Sequence, residues 1–332
     1  MNRADTLQAF DRFAATSALV VGDVMVDAYL WGRVDRISPE APVPVVHVTD
    51  RSERLGGAAN VALNLRALGA APVVVSVIGD DPQGRRLAEL FSENGIATDG
   101  LVRSASRRTT VKTRVISGHQ HIVRVDEEQE GDIDRSEEQA LLERVAALIA
   151  SHRPGVIVLE DYNKGVLTEA VIRGIVSLAR THGIPTAVDP KKRNFFAYAG
   201  VDLFKPNLKE LREGLKVEIP AGDAEAVRTA AAMLEDRLGN RISLITLSEH
   251  GVYVHGPGEE HLLPAHRRTI ADVSGAGDTV ISVAALCLAQ GMDLRTLADW
   301  SNLAGGLVCE HVGVVPVDRE ALLQECLLQA RP

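Results

Sequence analysis

The chain is short of cysteine, of basic charge and of aromatic residues. Its three cysteines, Cys287, Cys309 and Cys326, are widely spaced and form no C-x-x-C pair, which argues against a redox centre or a zinc site and favours buried structural thiols. Acidic residues outnumber basic ones by 45 to 36, so the net charge is −9. The basic surface that a non-specific nucleic-acid binder needs to neutralise phosphates is therefore missing.

Several motifs and segments are also absent. The G-x-x-x-x-G-K-[ST] phosphate loop does not occur, and no G-x-G-x-x-G follows the first apolar run, which argues against an NAD-dependent oxidoreductase. No uninterrupted apolar run reaches the roughly 18 residues that span a bilayer. The first residues lack the apolar core and cleavage site of a signal peptide. We therefore expect a cytoplasmic protein with no membrane or nucleic-acid partner.

Short Val- and Ile-rich runs alternate with helical patterns along most of the chain. Continuous apolar runs suit strands that are buried on both faces of a sheet. The alternation predicts an α/β fold with a doubly wound, mostly parallel sheet and helices on both faces, in one domain of residues 1–332. The apolar runs are residues 17–22, 72–79, 155–160, 184–189, 201–204 and 242–247.

Two segments depart from this alternation. Residues 29–48 are extended and contain three prolines, and residues 107–126 indicate a hairpin that turns near residues 117–120. We interpret both as antiparallel strands of one small β lid inserted in the main domain, although two unrelated surface excursions would give the same pattern. Because an isolated hairpin is marginal in water, we expect the lid to form the contact of a homodimer.

The most specific motif is the segment DVSGAGDT at residues 272–279, which precedes an apolar helical run. Gly275 and Gly277 allow the backbone to approach a ligand, and the amides at a helix N-terminus favour a negatively charged group. Asp278 lies at the same turn, where its carboxylate can accept a proton from an attacking hydroxyl. A glycine-rich turn that merely opens a helix is the structural alternative.

Two further motifs indicate ligand contacts. Gly56 and Gly57 precede Asn60 and a second helical run, so a polyol can lie against the backbone while the amide bonds its hydroxyls; a plain helix cap is the alternative. Asp23 and Asp27 follow the first strand, and open α/β sheets bind ligands at the carboxyl ends of their strands.

Taken together, these motifs resemble the two signatures of the ribokinase (PfkB-type) carbohydrate kinases, over nearly the whole chain. Within that family the resemblance is closest to the D-glycero-β-D-manno-heptose 7-phosphate kinases. The segment RISPEAPVPV is the most discriminating, because generic sugar kinases lack it. The segments that carry the resemblance are residues 22–27, 36–45, 56–60, 161–165, 189–191, 205–210 and 272–279.

The resemblance implies a ribokinase-like fold, ATP and Mg²⁺ as cofactors, and a role for each matching position; a K⁺ requirement stays open. Asp278 corresponds to the catalytic base, and the anion hole corresponds to Gly275, Ala276 and Gly277. Asn207 and Glu210 correspond to an N-x-x-E element that organises Mg²⁺, usually through water. The expected sugar contacts are Asp23, Asp27, Gly56, Gly57, Asn60 and Asp161. The expected nucleotide contacts are Asn207, Leu208, Lys209, Glu210, Ser248, Glu249, Gly251 and Asn302.

A substrate that already carries a phosphate needs a second anion site. The candidate cations are Lys112, Arg114 and Arg124 on the lid hairpin, Arg36 on the other lid segment, and Lys191, Lys192 and Arg193 after the strand at residues 184–189. A solvated basic patch is the alternative for the last three. Some bifunctional members carry a nucleotidyltransferase domain with an H-x-G-H-type motif, and this motif is absent, so we expect the kinase alone.

The leading hypothesis is ATP-dependent phosphorylation of O1 of the heptose 7-phosphate, in lipopolysaccharide precursor synthesis. A kinase for another sugar or nucleoside, or a non-catalytic sugar- or nucleotide-binding regulator, remains as the alternative.

Overall fold

The computed structural model describes residues 1–118, 120–266 and 268–330. Strands and helices alternate from the first strand to the last, as the sequence predicts. The strands are β1 (Ser17–Gly22), β2 (Val24–Ile37), β3 (Pro44–Gly57), β4 (Ala71–Gly79), β5 (Leu101–Ser104), β6 (Thr110–Ser117), β7 (Gln120–Glu127), β8 (Val156–Glu160), β9 (Thr186–Asp189), β10 (Leu203–Phe204), β11 (Ile242–Thr246), β12 (Val252–Gly256) and β13 (Glu259–Leu263).

The helices pack on both faces of the main sheet. They are α1 (Arg3–Ala14), α2 (Ala58–Ala67), α3 (Pro82–Glu93), α4 (Arg135–His152), α5 (Glu169–His182), α6 (Leu208–Leu215), α7 (Ala224–Leu238), α8 (Ala276–Ala289), α9 (Leu294–Val308) and α10 (Arg319–Gln329), with a short 3₁₀ turn at Ser248–His250. Within the described ranges, no helix has both the length and the apolar character that crossing a bilayer requires.

The main sheet has the strand order β13-β12-β11-β10-β9-β8-β1-β4-β5. All neighbours from β11 to β5 are parallel, and β12 and β13 add an antiparallel edge. Successive residues of a strand enter different cores: Val20 packs with α2 and α8, whereas Leu19 and Val21 pack with α4 and α5. This explains why the strands are continuously apolar, and it confirms the predicted doubly wound, mostly parallel sheet with helices on both faces.

A second sheet has the order β3-β2-β6-β7, so the two segments that depart from the alternation pair with each other. We call this sheet the lid. It differs from the prediction in two respects. The pairing of β2 with β6 is parallel rather than antiparallel, and the strands extend to Val24 and Gly57, well beyond residues 29–48. The predicted turn near residues 117–120 includes His119, which lies outside the described residues.

Two helices differ from the others in how their N-termini are capped. Eight of the described α-helices begin at a residue whose side-chain oxygen accepts a backbone N–H of the first turn. The exceptions are α2 and α8, which begin at Gly57 (φ +62°) and Gly275 (φ +81°) without a side-chain cap. Both glycines belong to the motifs that the sequence analysis singled out. Ala58 N–H donates to the backbone oxygen of Asp23 and Ala276 N–H to that of Val273, and the first-turn amides that follow them receive no side-chain cap.

Candidate active site

Carboxylates gather where the strands of the main sheet end. Glu160 ends β8 and Asp189 ends β9, and the two residues are direct neighbours in the parallel register. Asp278 approaches them from the first turn of α8. One carboxylate oxygen from each of the three lies within 4.8 Å of the others, and all three side chains are buried. This cluster lies at the carboxyl edge of the sheet, where open α/β sheets bind their ligands.

Asp278 is held from two sides. Asn60 Nδ2 donates to its Oδ2 at 2.6 Å, and the Tyr162 hydroxyl donates to its Oδ1 at 2.7 Å. Burial raises the pKa of Asp278 to about 6, although these two hydrogen bonds act in the opposite direction and nearby Asp189 raises the pKa further. The result is an oriented carboxylate that changes protonation state near neutral pH, as a general base requires.

The turn that opens α8 requires glycine at position 275. Gly275 has φ +81°, and a Cβ there would lie 3.0 Å from Asn60 Nδ2. A Cβ at Gly277 would lie 3.7 Å from Lys205 Nζ, so the turn runs directly over this lysine. Lys205 is itself buried and forms an ion pair of 2.7 Å with Asp189. An uncapped helix N-terminus beside a buried ammonium suits an anion, such as a phosphate.

A second lysine links the cluster to α6. Lys191 Nζ lies 2.6 Å from Glu210 Oε1 and 3.8 Å from Asp189 Oδ1, and it stands 5.3 Å from the centre of the Tyr162 ring. Burial lowers the pKa of Lys191, but the carboxylates of Asp189 and Glu210 outweigh burial and hold the pKa above its ordinary value. Both site lysines are therefore charged at neutral pH.

Three oxygens of the cluster lack a hydrogen-bond partner among the described residues. They are Oε1 and Oε2 of Glu160 and Oδ1 of Asp189. Burial, together with the neighbouring Asp189 and Asp278, raises the pKa of Glu160 well above its ordinary value. Buried polar atoms are rarely left unsatisfied in proteins. Carboxylate oxygens are also the donors that Mg²⁺ prefers, so the cluster fits a magnesium ion or a ligand hydroxyl.

The lid brings a second group of predicted residues together. The Arg114 guanidinium forms a hydrogen-bonded ion pair with the carboxylate of Asp27. A Cβ at Gly56 would lie 2.3 Å from Asp27 Oδ2, so any larger residue there would displace the Asp27 carboxylate. Arg114 also lies over the ring of Tyr29, with its guanidinium carbon 5.4 Å from the ring centre. Lys112, two residues before Arg114 on β6, forms ion pairs with Asp126 and Glu128 instead.

The carboxylates of Asp23 and Asp161, both predicted sugar contacts, are occupied by hydrogen bonds from the protein itself. The Asp23 carboxylate accepts the backbone N–H groups of Tyr162, Lys164 and Val166 at 2.8 to 3.1 Å. Asp161 accepts the backbone N–H of residue 163 and the hydroxyl of Tyr198. These contacts fix the loop after β8 that presents Tyr162 to Asp278. Both acids are thus positioning residues of the site.

Two predicted cations also lie elsewhere. Arg36 is exposed near the distal end of β2, four residues beyond the last pairing of that strand with β6. The Lys192 side chain is 69% exposed and lies 3.6 Å from Glu213, in a groove lined by α5, α6 and α7. The structure therefore does not bring Lys192 together with the lid residues Lys112 and Arg114. The sequence could not indicate this, because the chain turns away from the sheet edge directly after Lys191.

The predicted nucleotide contacts line the neighbouring strand ends. Asn207 caps α6 in a reciprocal capping box with Glu210, and it bridges to Thr246 of β11. The side-chain oxygens of Asn207 and Glu210 already bind protein groups, so any role with Mg²⁺ is expected to involve water. Leu208 and Lys209 form the first turn of α6, and Lys209 is exposed.

The remaining predicted nucleotide contacts lie on the loop after β11 and on α9. Ser248 and Gly251 have φ of +56° and +90°, and a Cβ at Gly251 would meet the backbone oxygen of Leu263 at 2.0 Å. Glu249 between them is exposed. Asn302 of α9 donates to the backbone oxygen of Pro264 at 2.9 Å, which ties α9 to the segment after β13.

Several members of the site were not predicted as site residues. Glu160 and Asp189 belong to the cluster, Tyr162 donates to Asp278, and Lys205 pairs with Asp189. The available signal was their position: each stands at, or within two residues after, the end of an apolar strand. Acids and lysines at that position share one edge of a parallel sheet.

Comparisons with known proteins agree with this geometry. The model of the pfkB family of carbohydrate kinases matches residues 15–320. The chain is 41% identical over 320 residues to the bifunctional protein HldE of Pelobacter propionicus, covering 96% of this chain and 64% of that protein. It is 44% identical over 322 residues to bifunctional protein HldE of a Caulobacter species, again covering 96% and 64%. The chain therefore spans about two thirds of the length of these curated relatives.

Solved structures show the same fold. Phosphofructokinase-2 from Escherichia coli, in complex with potassium, superimposes with a TM-score of 0.78 at 19% identity, covering 95% of this chain and 99% of that one. Arabidopsis thaliana ribokinase complexed with ribose and ATP gives a TM-score of 0.70 at 18% identity, with coverages of 93% and 98%. Given the family match over nearly all of its length, the chain belongs to the pfkB family of carbohydrate kinases, a family of sugar phosphotransferases.

Proposed function

We propose that the protein transfers the γ-phosphate of ATP to O1 of D-glycero-D-manno-heptose 7-phosphate and releases the 1,7-bisphosphate and ADP, as a step of lipopolysaccharide core precursor synthesis. The family membership supports a sugar kinase. The resemblance of residues 36–45 to the heptose 7-phosphate kinases, and the identity of 41–44% to proteins named HldE, support the heptose substrate. The observation that carries the proposal is the oriented carboxylate of Asp278 beside an uncapped helix N-terminus.

Asp278 acts as the base in this proposal. Each carboxylate oxygen accepts one protein hydrogen bond and keeps a lone pair for the sugar hydroxyl. As O1 forms a bond to the γ-phosphorus, its proton passes to Asp278, while the bond from that phosphorus to the ADP oxygen breaks. A pKa of about 6 keeps the carboxylate ionised at neutral pH and still basic enough to take a proton.

The positive groups face the transferred phosphoryl group. The amides of Gly275, Ala276 and Gly277 provide the helix N-terminus, and Lys205 lies beneath them. Such preorganised donors stabilise charge that develops in the transition state without reorganisation. Asn207 and Glu210 would hold Mg²⁺ through water, next to the partner-free oxygens of Glu160 and Asp189. When bound, Mg²⁺ neutralises the negative charge of the ATP phosphates.

The lid base is the proposed sugar site. Asp27, Gly56 and Gly57 lie on its strands next to α2, whose Asn60 reaches Asp278. Arg114 is the proposed clamp for the phosphate of the substrate, because its planar guanidinium can bond two phosphate oxygens at once. Its present partner, Asp27, would then be released to accept sugar hydroxyls.

The deciding experiment measures ADP release with heptose 7-phosphate, free heptose, ribose and fructose 6-phosphate, each with and without K⁺. We expect turnover with heptose 7-phosphate to exceed that with free heptose by at least about tenfold in kcat/KM. Equal rates for both heptoses would remove the heptose 7-phosphate specificity and leave a kinase for another sugar or nucleoside. Sugar binding without ADP release from any sugar would favour a non-catalytic regulator.

A further inference from the structure

A second cavity lies away from the carboxylate cluster. It is a groove of about 810 Å³ between α5, the segment that follows β9, and the C-terminal ends of α6 and α7. None of its lining residues, within the described part of the chain, belongs to the lid or to α8. We call it the basic groove. Its volume falls within the range of pockets that hold small molecules, about 300–1,000 Å³.

The charge of this groove is opposite to that of the protein. Six cations line it against two carboxylates, Glu169 and Glu213, so its local charge is +4, in a chain whose net charge is −9. Such a local excess attracts an anion. The cations come from four separate elements, which allows more than one anionic group to be held. They are Arg173, Arg180, Lys192, Arg193, Lys216 and Arg237.

Four of these cations are available to a ligand. Within the part of the chain that the structure describes, Arg173 pairs only with the exposed Glu169 (3.2 Å) and Lys192 only with the half-buried Glu213 (3.6 Å), and pairs near the surface are weak. Among the described residues, Lys216 and Arg237 pair with no carboxylate. Arg237 lies over the ring of Phe196, with its guanidinium carbon 3.7 Å from the ring centre.

We propose that the basic groove binds a small metabolite with two phosphate groups, at a site distinct from the kinase site. Guanidinium and ammonium groups are the usual partners of phosphate oxygens in proteins. A small molecule fits better than a nucleic acid, because the strongly negative net charge disfavours a long polyanion. This inference does not rest on the identity of the sugar that the kinase phosphorylates.

The helix dipole offers another explanation for some of the cations in the basic groove. Arg180, Lys216 and Arg237 stand at or next to helix C-termini, where basic side chains complement the helix dipole. Arg173 is inside α5, however, and Lys192 and Arg193 lie on a loop. The dipole explanation therefore leaves half of the cations unaccounted for. It also predicts that removing a cation changes stability, whereas a binding site predicts that ligand affinity changes.

The groove adjoins the kinase site through one short segment. Lys192 directly follows Lys191, which contacts Glu210 and lies over the ring of Tyr162, the residue that donates to Asp278. A ligand that moves Lys192 would also move Lys191 and so alter its contacts with Glu210 and Tyr162. The groove is thus placed to regulate the kinase, with each ligand altering the affinity for the other.

The test uses the full chain with the kinase site saturated by a non-hydrolysable ATP analogue and Mg²⁺. Inorganic pyrophosphate and fructose 1,6-bisphosphate are titrated by calorimetry as probes of a diphosphate and of a sugar bisphosphate. The groove variant is Arg173→Gln with Lys216→Gln. The matched control is Arg3→Gln with Arg144→Gln, which removes the same charge from exposed positions on α1 and α4. KM for ATP is then measured with and without the probe that binds.

We expect at least one probe to bind the wild-type protein with a Kd below about 1 mM. The groove variant should weaken this binding at least about tenfold, the size expected for one charged hydrogen bond, while the control stays within about twofold. Absence of binding by both probes, or equal weakening in the control, would overturn the site. An unchanged KM for ATP in the presence of a bound probe would overturn its regulatory role.

Discussion

Replacing Asp278 by Asn removes the proton acceptor and keeps the shape of the side chain. The amide can keep both present contacts, because its oxygen accepts from Asn60 Nδ2 and its NH₂ group donates to the hydroxyl oxygen of Tyr162. Loss of a general base costs about 10²–10⁴-fold in rate. We therefore expect kcat to fall by that factor, while the Kd for ATP stays within about twofold. ADP release and calorimetry measure the two quantities.

The same substitution should raise stability in a pH-dependent way. The pKa of Asp278 is about 6 in the folded protein, against an ordinary value of 3.8. The folded state thus binds this proton more tightly than the unfolded state, and the stability gained below pH 3.8 is lost as the pH rises through 6. The difference of about two units corresponds to up to ~3 kcal/mol. Urea denaturation should show Asp278→Asn to be more stable than wild type at pH 8, by about 1–3 kcal/mol, and no gain at pH 4.

A matched control is available in Asp161. Its pKa is also raised to about 6, mainly by burial, and it also accepts a tyrosine hydroxyl, that of Tyr198. Asp161→Asn should change stability in the same direction and lower kcat far less than Asp278→Asn, because an asparagine can keep the contacts with residue 163 and Tyr198 that fix the loop. A variant Asp278→Asn with kcat within tenfold of wild type, or an equal loss of kcat in both variants, would refute the assignment of the base.

Four further outcomes are expected. The wild-type kcat/KM should fall about tenfold per pH unit below pH 6, since the base must be ionised; a flat profile down to pH 5 would contradict this. Gly275→Ala should lower the free energy of unfolding by about 1–2 kcal/mol and reduce kcat, because φ is +81° there; urea titration measures the first. Arg114→Ala should raise KM for heptose 7-phosphate at least about tenfold and leave KM for ATP unchanged, whereas Lys192→Ala should change neither by more than about twofold. Val125→Asp, on the exposed face of β7, should convert a lid-mediated dimer to a monomer in sedimentation, and a wild-type monomer at micromolar concentration would refute the dimer.

The main sheet was predictable because its central parallel strands are buried on both faces. The residues of β1 and β8 enter the two cores alternately, as with Val158 on one side and Ile157 and Leu159 on the other, so the central positions of these strands are all apolar. The lid was harder to delimit. Its strands begin and end inside the binding motifs, at Val24 and Gly57, where glycines and acids hide the strand pattern. The predicted bounds were therefore too narrow.

The sequence indicated that both signature motifs belong to the ligand site, but not that they contact each other. Asn60 and Asp278 are 218 positions apart, and nothing in their spacing gives the 2.6 Å hydrogen bond between them. Asp23 and Asp161 show the opposite problem. An acid after a strand can face a ligand or accept backbone amides, and the choice depends on the path of the loop at residues 161–166, which turns back over Asp23. Local pattern does not determine that path.

The charges around Asp278 explain why this site needs a cation as well as a helix N-terminus. Four carboxylates, those of Glu160, Asp189, Glu210 and Asp278, stand against two ammonium groups, those of Lys191 and Lys205. Fully ionised, the group carries −2, and a proton on Glu160, whose pKa is well above its ordinary value, reduces this only to −1. A triphosphate brought against such a group is repelled unless further positive charge comes with it. The amides of the α8 turn supply about half a charge, so the remaining balance favours ATP that arrives with a divalent cation.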